Sequence, residues 1–169
     1  IADIGIIGLP NAGKSSLLAA VTNATPKIAN YQFTTLNPNL GVARYDDKEV
    51  TIADIPGLIE GAHQGVGLGV QFLKHIERCK TILHLIDITG DDIEKAYNQV
   101  KNELFSYSPE LIKKKELIVL NKIDLVEEEF VKEIIADFSK KINGEILLLS
   151  TLDKKSISKI KAKLISYVS

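Results

Sequence analysis

A chain of 169 residues, 45% hydrophobic and 25% charged, is long enough to bury one core and has the composition of an ordinary globular domain. Its formal net charge of -1 argues against a nucleic-acid footprint built into the segment, because sequence-independent phosphate binding needs clustered Lys and Arg. No apolar run approaches the ~20 residues of a membrane span, and no basic-then-apolar signal pattern opens the chain, so a cytoplasmic domain is expected.

The chain begins at Ile1 and contains no Met, so it reads as a single domain, 1–169, excised from a longer product. Short β-branched runs alternate with helical patterns throughout, which predicts an α/β fold around a largely parallel sheet. The first run, Ile4 to Gly8, leads into Gly8-Leu9-Pro10-Asn11-Ala12-Gly13-Lys14-Ser15, followed by Ser16. This fits G-x-x-x-x-G-K-[ST] between a strand and a helical stripe at Leu17, Leu18 and Val21. Glycines let successive N–H groups turn inward on an anion, and the following helix adds its positive end. Lys14 would reach the β- and γ-phosphates of a nucleotide, and the Ser15 hydroxyl would replace one water on Mg²⁺.

Next comes a loop containing Tyr31-Gln32-Phe33-Thr34-Thr35-Leu36, where a threonine hydroxyl could complete the Mg²⁺ shell; Thr34 and Thr35 compete for that role. Between Asn39 and Asp54 two extended segments are joined across Asp46, Asp47 and Lys48, too few residues for a helical crossover, which predicts an antiparallel hairpin. The run Val50 to Ile55 closes on Asp54-Ile55-Pro56-Gly57. Asp54 can hold the Mg²⁺ hydration shell there, and Gly57 can bring its N–H to a γ-phosphate without a side-chain clash. Glycines at 61, 65, 67 and 69 make the following segment easy to reorganise when that phosphate leaves. His63, His75 and His84 lack metal-ligand spacing and read as structural or interfacial, as does Cys79, which has no partner for a disulfide or a zinc site.

The strand Thr81 to Asp87 precedes an apolar stripe at Ile93, Ala96, Tyr97, Val100 and Leu104, and the strand Leu117 to Asn121 opens into Asn121-Lys122-Ile123-Asp124. The Asp124 carboxylate has two acceptor oxygens that match the N1–H and N2–H₂ donors of guanine, whereas adenine presents a lone pair at N1. Such a site can reject the wrong base by as much as ~10⁴ to 10⁵. By its motif position Asn121 would brace the loops, and the Lys122 stem would cover the base. Glu127, Glu128 and Glu129 lie at the positive end of a helix whose stripe is Phe130, Ile134, Ile135 and Phe138. The last strand, Ile146 to Ser150, precedes a stripe at Ile157, Ile160, Leu164 and Val168.

These segments together resemble the translation-factor-related GTPases. The runs DIPGLIEGAHQGVGLG over Asp54 to Gly69 and FLKHIERC over Phe72 to Cys79 resemble the Obg family more specifically than any one nucleotide motif. The resemblance spans nearly the whole chain. It implies a Ras-like P-loop NTPase fold with a six-stranded, mostly parallel sheet, one antiparallel edge hairpin and helices on both faces. It also implies a GTP-hydrolysing switch acting in large ribosomal subunit assembly and the stringent response, with guanosine tetraphosphate as a further ligand and a monomeric state. An N-terminal glycine-rich domain and a C-terminal domain, both absent here, would flank this one and carry most of the ribosomal contact.

By the family pattern Thr35 is the Mg²⁺ ligand, Phe33, Thr34, Thr35, Leu36 and Asn37 line the nucleotide, and Ser150-Thr151-Leu152 reaches guanine O6. The family usually has Ser-Ala where this chain has Ser150-Thr151. Asn11 matches the asparagine that holds K⁺ in potassium-activated relatives, an alternative to bracing the loop through its backbone. Leu58 stands where Ras-like switches carry the glutamine that orients the attacking water, so hydrolysis is expected to be slow. Lys14, Thr35, Asn11 and Gly57 would stabilise the transition state. Competing readings are a nucleotide-gated binding module with negligible hydrolysis, a DRG-type GTPase, and an Obg-like ATPase, against which the intact Asp124 argues.

Overall fold

The computed structural model describes residues 2–9, 11–22, 27–28, 39–54, 77–142 and 144–168. The six expected strands are β1 (Ile4–Ile7), β3 (Asn39–Tyr45), β4 (Lys48–Asp54), β5 (Thr81–Asp87), β6 (Lys115–Asn121) and β7 (Glu145–Leu149). A two-residue strand, β2 (Lys27–Ile28), pairs antiparallel with β3 outside the hairpin, so the sheet has seven strands in the order β2-β3-β4-β1-β5-β6-β7. Two residues carry too little periodicity to be read from sequence, and β2 exists because β3 offers a free edge. Every pairing from β4 across to β7 is parallel.

The β3–β4 hairpin is antiparallel as expected, but its loop is two residues rather than three: Tyr45 pairs with Lys48, and Lys48 begins β4. Asp46 and Asp47 both have positive φ, 52° and 62°, the backbone of a type I′ turn whose twist matches that of the strands.

The α-helices of the described residues are α1 (Lys14–Val21), α2 (Ile93–Tyr107), α3 (Glu128–Phe138) and α4 (Lys154–Val168). Alternation along the buried strands sends side chains to both faces. Ile4, Ile6, Leu83, Leu85, Leu117 and Val119 pack with Leu17, Leu18 and Val21 of α1 and with Ile160 and Leu164 of α4. On the other face Ile82 meets Val100 and Leu104 of α2, while Ile118 and Leu120 meet Val131 and Phe138 of α3. Helix α2 starts where Asp92 accepts a hydrogen bond from the Lys95 amide at 3.0 Å.

Two details of the helical stripes differ from expectation. On α3, Phe130 is 40% exposed and Val131 is buried instead; Phe130 sits in the first turn, rotated off the face that Ile134, Ile135 and Phe138 present to the sheet. On α4, Ile165 joins the buried set, and the Val168 side chain lies outside the described residues. Cys79 is fully buried, and burial pushes its thiol up to about 11, as a structural cysteine requires. His84 is fully buried too, stacked on Tyr97 at 5.0 Å, and burial pushes its imidazole down to about 3, so it is a neutral core residue. Among the described residues no helix is long and apolar enough to cross a membrane.

Candidate nucleotide-binding site

Parallel pairing brings the carboxyl ends of β1, β4, β5, β6 and β7 to one edge of the sheet, the place where open α/β folds bind ligands. Ile6 is level with Asp54, Asp87 with Asn121, and Asn121 with Leu149. The loops after these positions are therefore neighbours although their sequences are far apart.

The loop after β1 curls through two left-handed residues, Asn11 at φ 71° and Gly13 at φ 103°, before α1 begins at Lys14. Two glycines are required by space, and Gly13 by its dihedral as well. A Cβ on Gly8 would lie 2.6 Å from the Leu85 carbonyl oxygen, and one on Gly13 would lie 2.5 Å from Asn121 Nδ2. Ser16, the third residue of α1, is exposed, while Ala12 is buried.

Asn121 is 3% exposed and fills the gap that Gly13 leaves. Its Nδ2 donates to the Ala12 carbonyl at 2.9 Å, and its Oδ1 accepts from the Lys122 amide at 2.8 Å. Lys122, itself left-handed at φ 67°, extends its ammonium back over the same loop, donating to the Asn11 carbonyl at 3.0 Å and to Asp87 Oδ2 at 2.9 Å. The 3₁₀ turn Ile123–Leu125 then presents Asp124 to solvent, and no hydrogen bond among the described residues consumes its acceptor oxygens. The loop after β1 and the Asn-Lys-x-Asp turn are thus tied by two hydrogen bonds into one unit with an exposed carboxylate at its end.

On the other side of the loop, Lys14 Nζ lies 3.6 Å from Asp54 Oδ1, and the Ser15 hydroxyl donates to Asp54 Oδ2 at 3.4 Å. Asp54 is 5% exposed and its Oδ1 accepts no hydrogen bond. Among the described residues this buried carboxylate is held by a distant ammonium and a long hydroxyl contact, and hard oxygen donors converging in this way suit Mg²⁺.

At the end of β7, Ser150 is buried and pinned by Ser156 of α4. The Ser150 amide donates to Ser156 Oγ at 3.1 Å, and that hydroxyl donates to the Ser150 carbonyl at 2.8 Å. The Leu152 amide donates to Ser150 Oγ at 3.3 Å, and the turn leaves Thr151 exposed and Leu152 82% exposed. Because β7 lies beside β6, this turn follows the edge that carries Asp124.

The sequence passed over Asp87 and Thr89. Thr89 donates to Asp87 Oδ1 from its amide at 2.8 Å and from its hydroxyl at 2.6 Å, leaving Oδ2 for Lys122. Burial raises the Asp87 carboxyl, but the hydrogen bonds from Thr89 and Lys122 outweigh it and hold the group below the usual range. Its position, last in a buried strand flanked by strands that end in motif residues, is the signal that would have found it. Among the remaining site candidates Pro10, Phe33, Thr34, Thr35, Leu36, Asn37, Ile55, Pro56 and Gly57 lie outside the described residues, as do Leu58, Glu60, His63 and His75.

A family profile described as 50S ribosome-binding GTPase matches residues 3–122, which carry the phosphate loop, Asp54, Asp87, Asn121 and Lys122. The chain belongs to that GTPase family. Within it, the resemblance to Obg holds over the full length. The GTPase Obg of Pelagibacter ubique is 74% identical over 169 residues, all of this chain and 52% of that protein. The GTPase Obg of Rickettsia felis is 54% identical over 160 residues, 95% of this chain and 48% of that protein. The chain thus spans about half the length of these curated relatives. Among solved structures, the G domain of the T. maritima FeoB iron transporter superposes with a TM-score of 0.70 at 20% identity, covering 98% of both chains, which establishes the shared G-domain fold.

Proposed function

We propose that this GTPase-family domain binds GTP with Mg²⁺ and hydrolyses it slowly as a switch acting in large ribosomal subunit assembly and the stringent response. The observation that carries the reading is the bracing of the phosphate loop by Asn121 and Lys122, which fixes the exposed Asp124 carboxylate relative to the phosphate cradle. A guanine base held by Asp124 and a triphosphate held by residues 8–16 would then be one rigid recognition unit, with Ile123 and residues 150–152 closing the base side.

Ser15 and Asp54 would hold Mg²⁺, with Thr35 as the third protein ligand; the ion would neutralise charge on the β- and γ-phosphate oxygens. In the free protein Lys14 lies 3.6 Å from the Asp54 carboxylate, and it would move to the phosphates when they enter. The Gly57 amide would donate to the γ-phosphate, and residues Phe33 to Asn37 and Ile55 to Gly57 would sense its loss. Asn11 would help to hold K⁺, whose charge would offset that developing on the phosphates; its carbonyl serves Lys122, so the side chain is the group left for the ion. Flanking domains, a cytoplasmic setting, a monomeric state and binding of guanosine tetraphosphate belong to the same proposal, supported by the relatives' being about twice as long and named GTPase Obg.

The deciding experiment is phosphate release by the purified domain with Mg²⁺ in matched KCl and NaCl, with ATP as the control. Release from GTP alone, faster in K⁺ and losing that stimulation in Asn11→Asp, supports the GTP switch and the Asn11 ion site. Tight GDP binding without release would favour a nucleotide-gated module that waits for a partner, which Leu58 in place of a water-orienting glutamine already suggests. Release from ATP would overturn the guanine assignment.

A further inference from the structure

A cavity of about 170 Å³ lies where β5, α2 and the loop after β1 meet. Leu9 and Ala12 of the loop, residues 84–87 of β5, Gly90, and Ala96 and Val100 of α2 form its walls. Only two of these side chains are polar. Asp87 is already engaged, with Oδ1 accepting from Thr89 and Oδ2 from Lys122. His84 is not: it is fully buried, and neither Nδ1 nor Nε2 has a hydrogen-bond partner among the described residues. The stack on Tyr97, at 5.0 Å between ring centroids, covers a face of the imidazole and leaves the in-plane nitrogens unserved. A neutral imidazole carries one N–H donor and one lone pair, and protein interiors seldom bury both unmet.

We infer that this cavity is a binding site for a small neutral molecule with a flat apolar body and one hydroxyl group, of the phenol class. An apolar hole of about 150 Å³ is enough to take up benzene, so a single ring fits the space between Leu9, Leu85, Ile86 and Val100. A hydroxyl both donates and accepts, and so can meet an imidazole nitrogen in either tautomer. Water suits this lining less well, because a buried water needs several polar partners and the open ones here sit on one side chain. An anion would face the Asp87 carboxylate, and a cation would find both Asp87 oxygens already in use. The site is separate from the nucleotide cleft, since none of Lys14, Ser15, Asp54 or Asp124 borders the cavity.

Nuclear magnetic resonance of the isotope-labelled whole chain, titrated with phenol and separately with benzene at neutral pH, tests this. The His84 ring nitrogens report the polar contact, and the Leu9 and Val100 methyl groups report occupancy for both ligands. Phenol should shift a His84 nitrogen saturably and bind about fivefold tighter than benzene, the factor expected of one net hydrogen bond. His84→Phe keeps a ring against Tyr97 and drops both nitrogens, so there the two ligands should bind equally. Ala96→Leu enlarges a side chain in the cavity wall and should bind neither. If either variant fails to fold, the nitrogen shift and the phenol-to-benzene ratio of the unaltered protein decide alone. No saturable shift at His84, equal affinity of the unaltered protein for both ligands, or a phenol preference that survives in folded His84→Phe would each overturn the proposal.

Discussion

If Asn121 is the brace between the phosphate loop and the base-reading turn, its removal should be felt in the nucleotide-free protein. Asn121→Ala deletes the 2.9 Å bond to the Ala12 carbonyl and the 2.8 Å bond from the Lys122 amide. Each is a neutral hydrogen bond with a net contribution of about 1 kcal/mol. The Ala12 carbonyl belongs to a residue that is 3% exposed, so stranding it adds a share of the 1–3 kcal/mol typical for a buried unsatisfied group. The Lys122 amide is only partly buried and can recruit water. The expected loss is about 2 to 4 kcal/mol, or a fall in urea midpoint of about 1 to 2 M at a typical slope near 2 kcal/mol/M. Asn121→Asp preserves size and the Oδ1 acceptor but sets a carboxylate oxygen against the Ala12 carbonyl, so it should lose at least as much. Urea unfolding of the nucleotide-free domain, followed by circular dichroism, measures both. Losses below about 0.5 kcal/mol in both variants would refute the brace, because that is the range of surface substitutions touching nothing.

Other outcomes follow from the same geometry. Gly13→Ala would place a Cβ 2.5 Å from Asn121 Nδ2 on a backbone at φ 103°, and should abolish fluorescent-GDP binding in a titration that the unaltered protein saturates. Asp87→Ala frees the Lys122 ammonium on a partly exposed site worth about 1 kcal/mol, so fluorescent-GDP should dissociate about fivefold faster in stopped flow. Burial holds the His84 imidazole at about 3, below its unfolded value near 6.5, so the unfolded chain binds the extra proton between those values and stability falls as pH drops below about 6.5. Between pH 7 and pH 5 that group should account for about 2 kcal/mol of lost stability, and His84→Phe, which can keep the stack on Tyr97, should remove that share from the urea midpoint's pH dependence. On α3, Val131→Ala should cost about 1.5 kcal/mol in thermal unfolding while Phe130→Ser stays within about 0.5 kcal/mol.

Much of the site was legible because its residues announce themselves by local backbone need. Gly8 and Gly13 are required by a curl that a Cβ would block, and Lys14 follows at the first turn of α1, so a pattern of adjacent residues encodes the phosphate loop without reference to the rest of the chain. The central strands β1, β5 and β6 were readable for a similar reason: burial on both faces leaves continuous apolar runs. What escaped was whatever depends on where two distant segments meet. Phe130 and Val131 are equally apolar, and only the angle at which α3 settles on β6 decides that Val131 is the one buried. Asp87 is an ordinary aspartate until β5 and β6 are aligned, whereupon it is level with Asn121 and within 2.9 Å of Lys122.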